Sequence, residues 1–180
     1  MRFFDSSFGE ILTSQIASVG GGLIAGTILA LYTDKLLLLP GMLVLIPGFL
    51  EMRGNISGSF SSRLTSGLFL GAIKPKNLWS SIVKGNLVAS FIQALFISLS
   101  LGIIAFVFNY LIFGVSSLQI IAIPVIAGAI ANAIEIPLAL FATFYLFRKG
   151  HDPNNVMGPL ITSTGDVISI VSLLAAVAII

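Results

Sequence analysis

The sequence predicts an all-α integral membrane protein with five transmembrane helices, the second of them broken. Three observations carry that prediction. Of the 180 residues, 57% are hydrophobic and only 9% charged, against about 25% charged in a typical soluble domain. The apolar residues fall in runs long enough to cross a bilayer, divided by short turns or basic stretches. The basic residues, finally, are distributed unevenly between those stretches, as the positive-inside rule requires. The chain has no cysteine, so it has neither a disulfide nor a thiolate metal site. The start, MRFFDSSFGEIL, reads poorly as a signal peptide, because acidic Asp5 and Glu10 precede the apolar run. Residues 1–180 form a single transmembrane domain, with no internal repeat and no linker.

The first segment runs from about Leu12 to Tyr32 and is rich in small residues. Its Gly22 and Gly26 form a GxxxG pair, which predicts close approach of another helix. Asp34-Lys35 marks a short turn. The second segment begins at Leu36 and holds two Pro-Gly pairs, Pro40-Gly41 and Pro47-Gly48, which predict a broken helix. Such breaks are tolerated at membrane depth where protein or a wet cavity surrounds them. Further along it, Asn55, Ser59 and Ser62 or Arg63 fall at helical spacing and share one face.

Lys74, Lys76 and Lys84 then make a basic loop. The third segment, about Ile82 to Phe113, is nearly free of charge and long enough to tilt or to extend past the bilayer. An uncharged turn leads to the fourth, about Leu118 to Phe147, which contains Asn132 and Glu135 one turn apart. The fifth opens at Asp152-Pro153, with Asp as cap and Pro at the first helical position, and continues to Ile180. With the N-terminus cytoplasmic, Lys74, Lys76, Lys84, Arg148 and Lys149 are all inside. The C-terminus is then outside, where only Lys35 remains beside Asp34.

The ionisable residues inside the apolar runs are few: Glu51, Arg53, Arg63, Glu135 and Asp166. The first three read as interface anchors or a local ion pair. Glu135 reads either as a partner for Asn132 of a neighbouring element or as lining for a path. Asp166 stands apart, deep in the last segment. A carboxylate at that depth costs about 2.5–3.5 kcal/mol on insertion scales, so something must compensate it. Thr162, Asp166 and Ser169 recur at i, i+4 and i+7, which predicts one polar stripe. The stripe faces either a wet interior or a hydrogen-bonded packing seam. No basic residue of the fifth helix can pair with Asp166, so its partner lies on another helix, on another chain, or is a cation. Enzyme chemistry has no support: the lone His151 reads as a solvated loop residue, and one His makes no metal cluster.

Two stretches, PGFLEMRGNISGSFSSRL at 47–64 and DPNNVMGPLITSTGDVISI at 152–170, resemble signatures of the MgtE-type magnesium transporters. They are closer still to those of the related solute-carrier branch, with its Gly-Asn before Ser-Arg-Leu and its Asp-Pro-x-Asn run ending in Gly-Asp. The resemblance spans essentially the whole chain. It implies a membrane domain that works as a pair, here a homodimer, with a pore between the halves and the last-helix Asp of each at the ion site. Carried over, that residue is Asp166; the Gly-Asn is Gly54 and Asn55; Gly158, Pro159, Thr162 and Ser163 precede the Asp. The chain departs from MgtE proteins in one respect. Their large cytoplasmic sensor has no counterpart ahead of the first span, so gating falls to a separate cytoplasmic subunit or to none.

The expected function is passage of a divalent cation, Mg2+ before others, with Asp166, Asn55, Gly54, Thr162, Ser163 and Glu135 as the metal-site residues. Mg2+ keeps its waters and prefers octahedral oxygen. Two Asp166 carboxylates would balance its charge, and water and cation would solvate an otherwise unpaired Asp166. The alternatives are an ion-coupled transporter of another solute, with Glu135 and Asp166 as a proton relay, and a non-transporting membrane assembly subunit. Membrane lipid is the expected surrounding; no nucleic acid partner is expected.

Overall fold

The computed structural model describes residues 6–37, 39 and 41–180. Asp5 and Pro40, on which two of the readings above rest, lie outside them. Among the described residues there are six α-helices and no strand: α1 Ser6–Leu31, α2 Thr33–Leu37, α3 Met42–Phe69, α4 Ser81–Phe113, α5 Gln119–Arg148 and α6 Pro153–Ile179. Four of them, α1, α4, α5 and α6, are long and apolar enough to cross a membrane. With its 28 residues α3 matches them in length but not in hydropathy, because Glu51, Arg53, Asn55 and Arg63 interrupt it.

The predicted break in the second segment is present, and its position is corrected. It falls at Gly41, whose φ of 91° is left-handed, between the one-turn α2 and the long α3. A side chain at Gly41 would also overlap that of Asn109 on α4, so the position excludes a Cβ twice over. Pro47-Gly48, by contrast, sits within unbroken α3. It lies close to the start of that helix, where loss of one N–H disturbs little. Asp34 and Lys35, predicted as a turn, belong to α2.

α3 occupies the centre and packs against α4, α5 and α6. Phe49, Ile56, Phe60 and Leu64 recur at helical spacing and are fully buried, so this stripe is the core face. Arg53 lies on the same stripe and is as buried as they are. The opposite side of α3 carries Glu51, Asn55, Ser59, Ser62 and Arg63, all exposed in the single chain. The shared face predicted for Asn55, Ser59 and Ser62 or Arg63 is therefore present.

The outermost helix is α1, which packs on α6 and, briefly, on α2. Its inward residues are small: Ser14, Ser18, Gly21 and Ala25, at i, i+4, i+7 and i+11. The close approach is at Gly21, where a Cβ would stand 2.5 Å from the Cβ of Ser163. A Cβ at Gly22 or Gly26 would meet nothing within 4 Å, so within the chain the GxxxG pair is not the contact. The four small residues Ser14, Ser18, Gly21 and Ala25 set α1's seat, and the point of closest approach, Gly21, lies about 100° round the helix from Gly22 and about 140° from Gly26.

The two ends of the bundle are chemically distinct. Arg148 Nε donates to the Pro75 carbonyl at 2.7 Å, which ties the α3–α4 loop to the end of α5. His151 Nδ1 lies 2.7 Å from Glu10 Oε1, and Asn155 Nδ2 donates to Glu10 Oε2 at 3.1 Å. These contacts bring the start of α1 to the same end. His151 is half exposed, as a loop residue should be, but it is paired. Lys74, Lys76, Arg148 and Lys149 thus gather at one end, while Asp34 and Lys35 mark the other. The Asp152 cap also forms as the sequence predicts: its Oδ1 accepts from Asn154 N–H at 2.9 Å.

Candidate ion site

Asp166 lies near the middle of α6 and points towards α3. Its Oδ1 accepts from Arg53 Nη2 at 3.1 Å. Arg53 Nη1 donates to Glu135 Oε1 on α5 and to the Ile161 carbonyl, the latter at 3.3 Å. One guanidinium therefore bridges two carboxylates from two other helices. Of the three partners the sequence allows for Asp166, the structure shows the first, another helix of the same chain: Arg53 on α3. The expectation that only water and cation solvate it is thereby corrected. Arg53 is likewise no interface anchor, being 1% exposed. With both carboxylates ionised, the three groups sum to one negative charge.

Close packing makes the bridge possible. Gly165 precedes Asp166 and faces inward; a Cβ there would collide with the Arg53 guanidinium and with Glu135 Oε1. The glycine is the cradle in which the ion bridge sits. Glu135 is fully buried. The Ser57 hydroxyl lies beside its carboxylate, but neither Oε2 nor Arg53 Nε makes a geometrically complete hydrogen bond. Asn132, one turn from Glu135, donates instead to the Gly128 carbonyl of its own helix at 2.7 Å.

Asp166 differs from Glu135 in facing space. Its side chain is 23% exposed, and Oδ2 takes no hydrogen bond among the described residues. It borders an open cavity of ≈ 470 Å³ lined also by Glu51, Arg53, Gly54, Asn55 and Thr162. Asn55 Nδ2 donates to Glu51 Oε1 at 3.1 Å, which leaves the Asn55 carbonyl oxygen free to accept. Thr162 Oγ1 donates to the Gly158 carbonyl at 3.0 Å, so its lone pairs remain available. At Gly54 a Cβ would meet nothing within 4 Å; the residue keeps the wall low rather than permitting a contact. A separate hollow of ≈ 190 Å³ between α3 and α6 lies beside Ser61, Ser62, Asn154 and Gly158.

Of the six residues predicted for the site, Asp166, Asn55, Gly54 and Thr162 line one cavity. Ser163 does not join them: it turns to α1 at Gly21 and donates to the Leu160 carbonyl at 3.2 Å. Glu135 stands behind Arg53 and does not reach the cavity. Ser169 leaves the predicted stripe as well, being wholly buried with an unpartnered hydroxyl. The sequence reading missed Glu51, whose spacing of four from Asn55 could have placed it on the cavity wall.

A family model described as MgtE, divalent cation transporter, matches residues 46–176. The chain belongs to the MgtE family. The match runs from early α3 to late α6, so it contains every residue of the cavity and of the ion bridge. As a member of a transporter family, this MgtE protein is a multi-pass membrane protein that moves divalent cations.

Proposed function

We propose that two copies of this chain meet across the polar face of α3 and α6 and pass a hydrated divalent cation, Mg2+ above others, between their Asp166 carboxylates. One observation carries this reading. Between α3 and α6, Glu51, Asn55, Thr162 and Asp166 line one open cavity, Ser62, Asn154 and Gly158 line a second, and Ser59 is exposed on the same side of α3. At membrane depth such a surface is unstable against lipid and needs protein or water over it. A second copy covers it and encloses water in the same step. On this reading α3 is the fifth crossing, the basic end faces the cytoplasm with the N-terminus, and the C-terminus is outside.

The donor set suits a hydrated ion. Each copy offers the partly exposed Asp166 carboxylate, the exposed Glu51, and neutral oxygens from Asn55 and Thr162. Six waters at about 30 Å³ each occupy about 180 Å³, which a cavity of ≈ 470 Å³ accommodates. Magnesium gives up its waters more reluctantly than calcium. Ligation through those waters holds it loosely enough for release. Control by a separate cytoplasmic subunit would act at the basic end. A proton relay from Glu135 to Asp166 is less well supported, because the Arg53 guanidinium stands between them and offers only donors.

The test is Mg2+ uptake into proteoliposomes of defined lipid under an imposed potential. Asp166→Asn is expected to abolish uptake while the protein stays folded and paired. Wild-type uptake in that variant removes Asp166 from the pathway, and uptake that requires a pH gradient favours the relay.

A further inference from the structure

We propose that Arg53 is a resident cation of the site: held by Glu135, it competes with the transported ion for Asp166 and so sets how tightly that ion is bound. The proposal rests on the reading of Asp166 as an ion ligand and adds two residues that never touch the ion.

Three features of the bridge support it. First, Arg53 reaches Asp166 through Nη2 alone, at 3.1 Å, whereas Nη1 is engaged with Glu135 and the Ile161 carbonyl. The contact to Asp166 is thus a single hydrogen bond on the cavity side, and it can be given up without freeing the guanidinium. Secondly, Glu135 takes only Nη1 of Arg53, and its Oε2 receives no donor from the guanidinium. When a divalent cation takes Asp166, Nη2 is released and can turn to Glu135 Oε2, completing with Nη1 a two-pronged pair. The buried polar inventory is better satisfied in that arrangement, so the ion's arrival does not strand the arginine. Thirdly, the absence of a side chain at Gly165 leaves room for Arg53 and Glu135 directly against α6 beside Asp166, so the exchange needs no movement of the helices.

The consequence is a graded site. Without Arg53, two bare Asp166 carboxylates on facing chains would hold a divalent cation strongly and release it slowly. With Arg53 wholly committed to Asp166, the site would be neutral and would attract no cation. Glu135 sets the balance by drawing the guanidinium part of the way back. Arg53 and Glu135 are positioning residues in this scheme, acting on the ion only through Asp166.

The experiment titrates Mg2+, and separately Mn2+, into the full-length protein in lipid nanodiscs by calorimetry. Glu135→Gln gives Arg53 entirely to Asp166 and is expected to raise Kd about tenfold or more. The double variant Arg53→Met/Glu135→Met removes the fully buried pair together, leaving only the part-exposed Asp166 without its partner, and is expected to lower Kd by a similar factor, about tenfold, with slower ion release. A purely structural role would weaken binding in both. Unchanged affinity in both variants, or weaker binding in both, overturns the proposal. If Glu135→Gln does not fold, the double variant decides alone: tighter binding supports the proposal, and equal or weaker binding overturns it. Asp166→Asn in the same titration separates the two readings. Wild-type binding there removes the ion site itself, whereas lost binding there with unmoved affinity in the other variants removes only the role of Arg53.

Discussion

Arg53 and Asp166 stand 113 positions apart in the chain and meet through one 3.1 Å hydrogen bond. That contact joins α3 to α6 at mid-depth, and Glu135 extends it to α5. Three helices are therefore held together by one guanidinium.

Removing the cation alone should be costly. Arg53→Gln leaves Glu135 and Asp166 facing each other with no positive charge between them, and Glu135 is fully buried. The expected loss is roughly 3–5 kcal/mol, read as a lower thermal midpoint in detergent. The double variant Arg53→Met/Glu135→Met should recover most of it, since an apolar replacement of a buried pair is commonly neutral.

The cradle can be tested separately. Gly165→Ala adds a methyl group where the Arg53 guanidinium and Glu135 already lie. Overpacking of this kind costs roughly 1–3 kcal/mol. The same substitution at Gly54, where a Cβ has open space, should leave the midpoint within about 0.5 kcal/mol of wild type.

The absence of cysteine makes the pairing face directly measurable. A Ser59→Cys variant places one thiol on the exposed polar side of α3. Oxidation should yield a disulfide-linked dimer on a non-reducing gel, provided the two copies meet there. Leu111→Cys, on an exposed apolar part of α4, should remain monomeric under the same treatment. The reverse pattern would place the contact elsewhere.

The seat of α1 gives a pair of glycine variants with opposite outcomes. Gly21→Val should loosen α1 from α6 and raise amide exchange in both, because a Cβ there meets Ser163 at 2.5 Å. Gly22→Val should change neither, within one chain. Equal effects at the two positions would contradict the observed rotation of α1.

Much of the fold could be read from the residues, because its determinants are local. Asp152-Pro153 announces the start of α6, and the long apolar runs mark α1, α4 and α5 to within a few residues. Four of the six predicted site residues reached one cavity for a similar reason, since Thr162 and Asp166 lie at helical spacing and Gly54 and Asn55 are neighbours on α3. What could not be read was helix rotation against neighbours. Thr162 and Ser163 are adjacent and equally polar, and only the seat of α1 on Gly21 decides that Thr162 faces the groove. The partner of Asp166 was hidden likewise. Arg53 sits two residues from Glu51 and ten from Arg63, and composition alone does not tell which of the three turns inward. Its place on the stripe of Phe49, Ile56 and Phe60 was the available sign.

Because α1 rests on α6 and on no other long helix, the helix that bears Asp166 is gripped from outside as well as from within. Any sideways push from the surrounding bilayer on α1, from altered thickness or lateral tension, is delivered first to α6. The outermost rod of the bundle thus acts as a lever arm whose load falls on the carboxylate-bearing one.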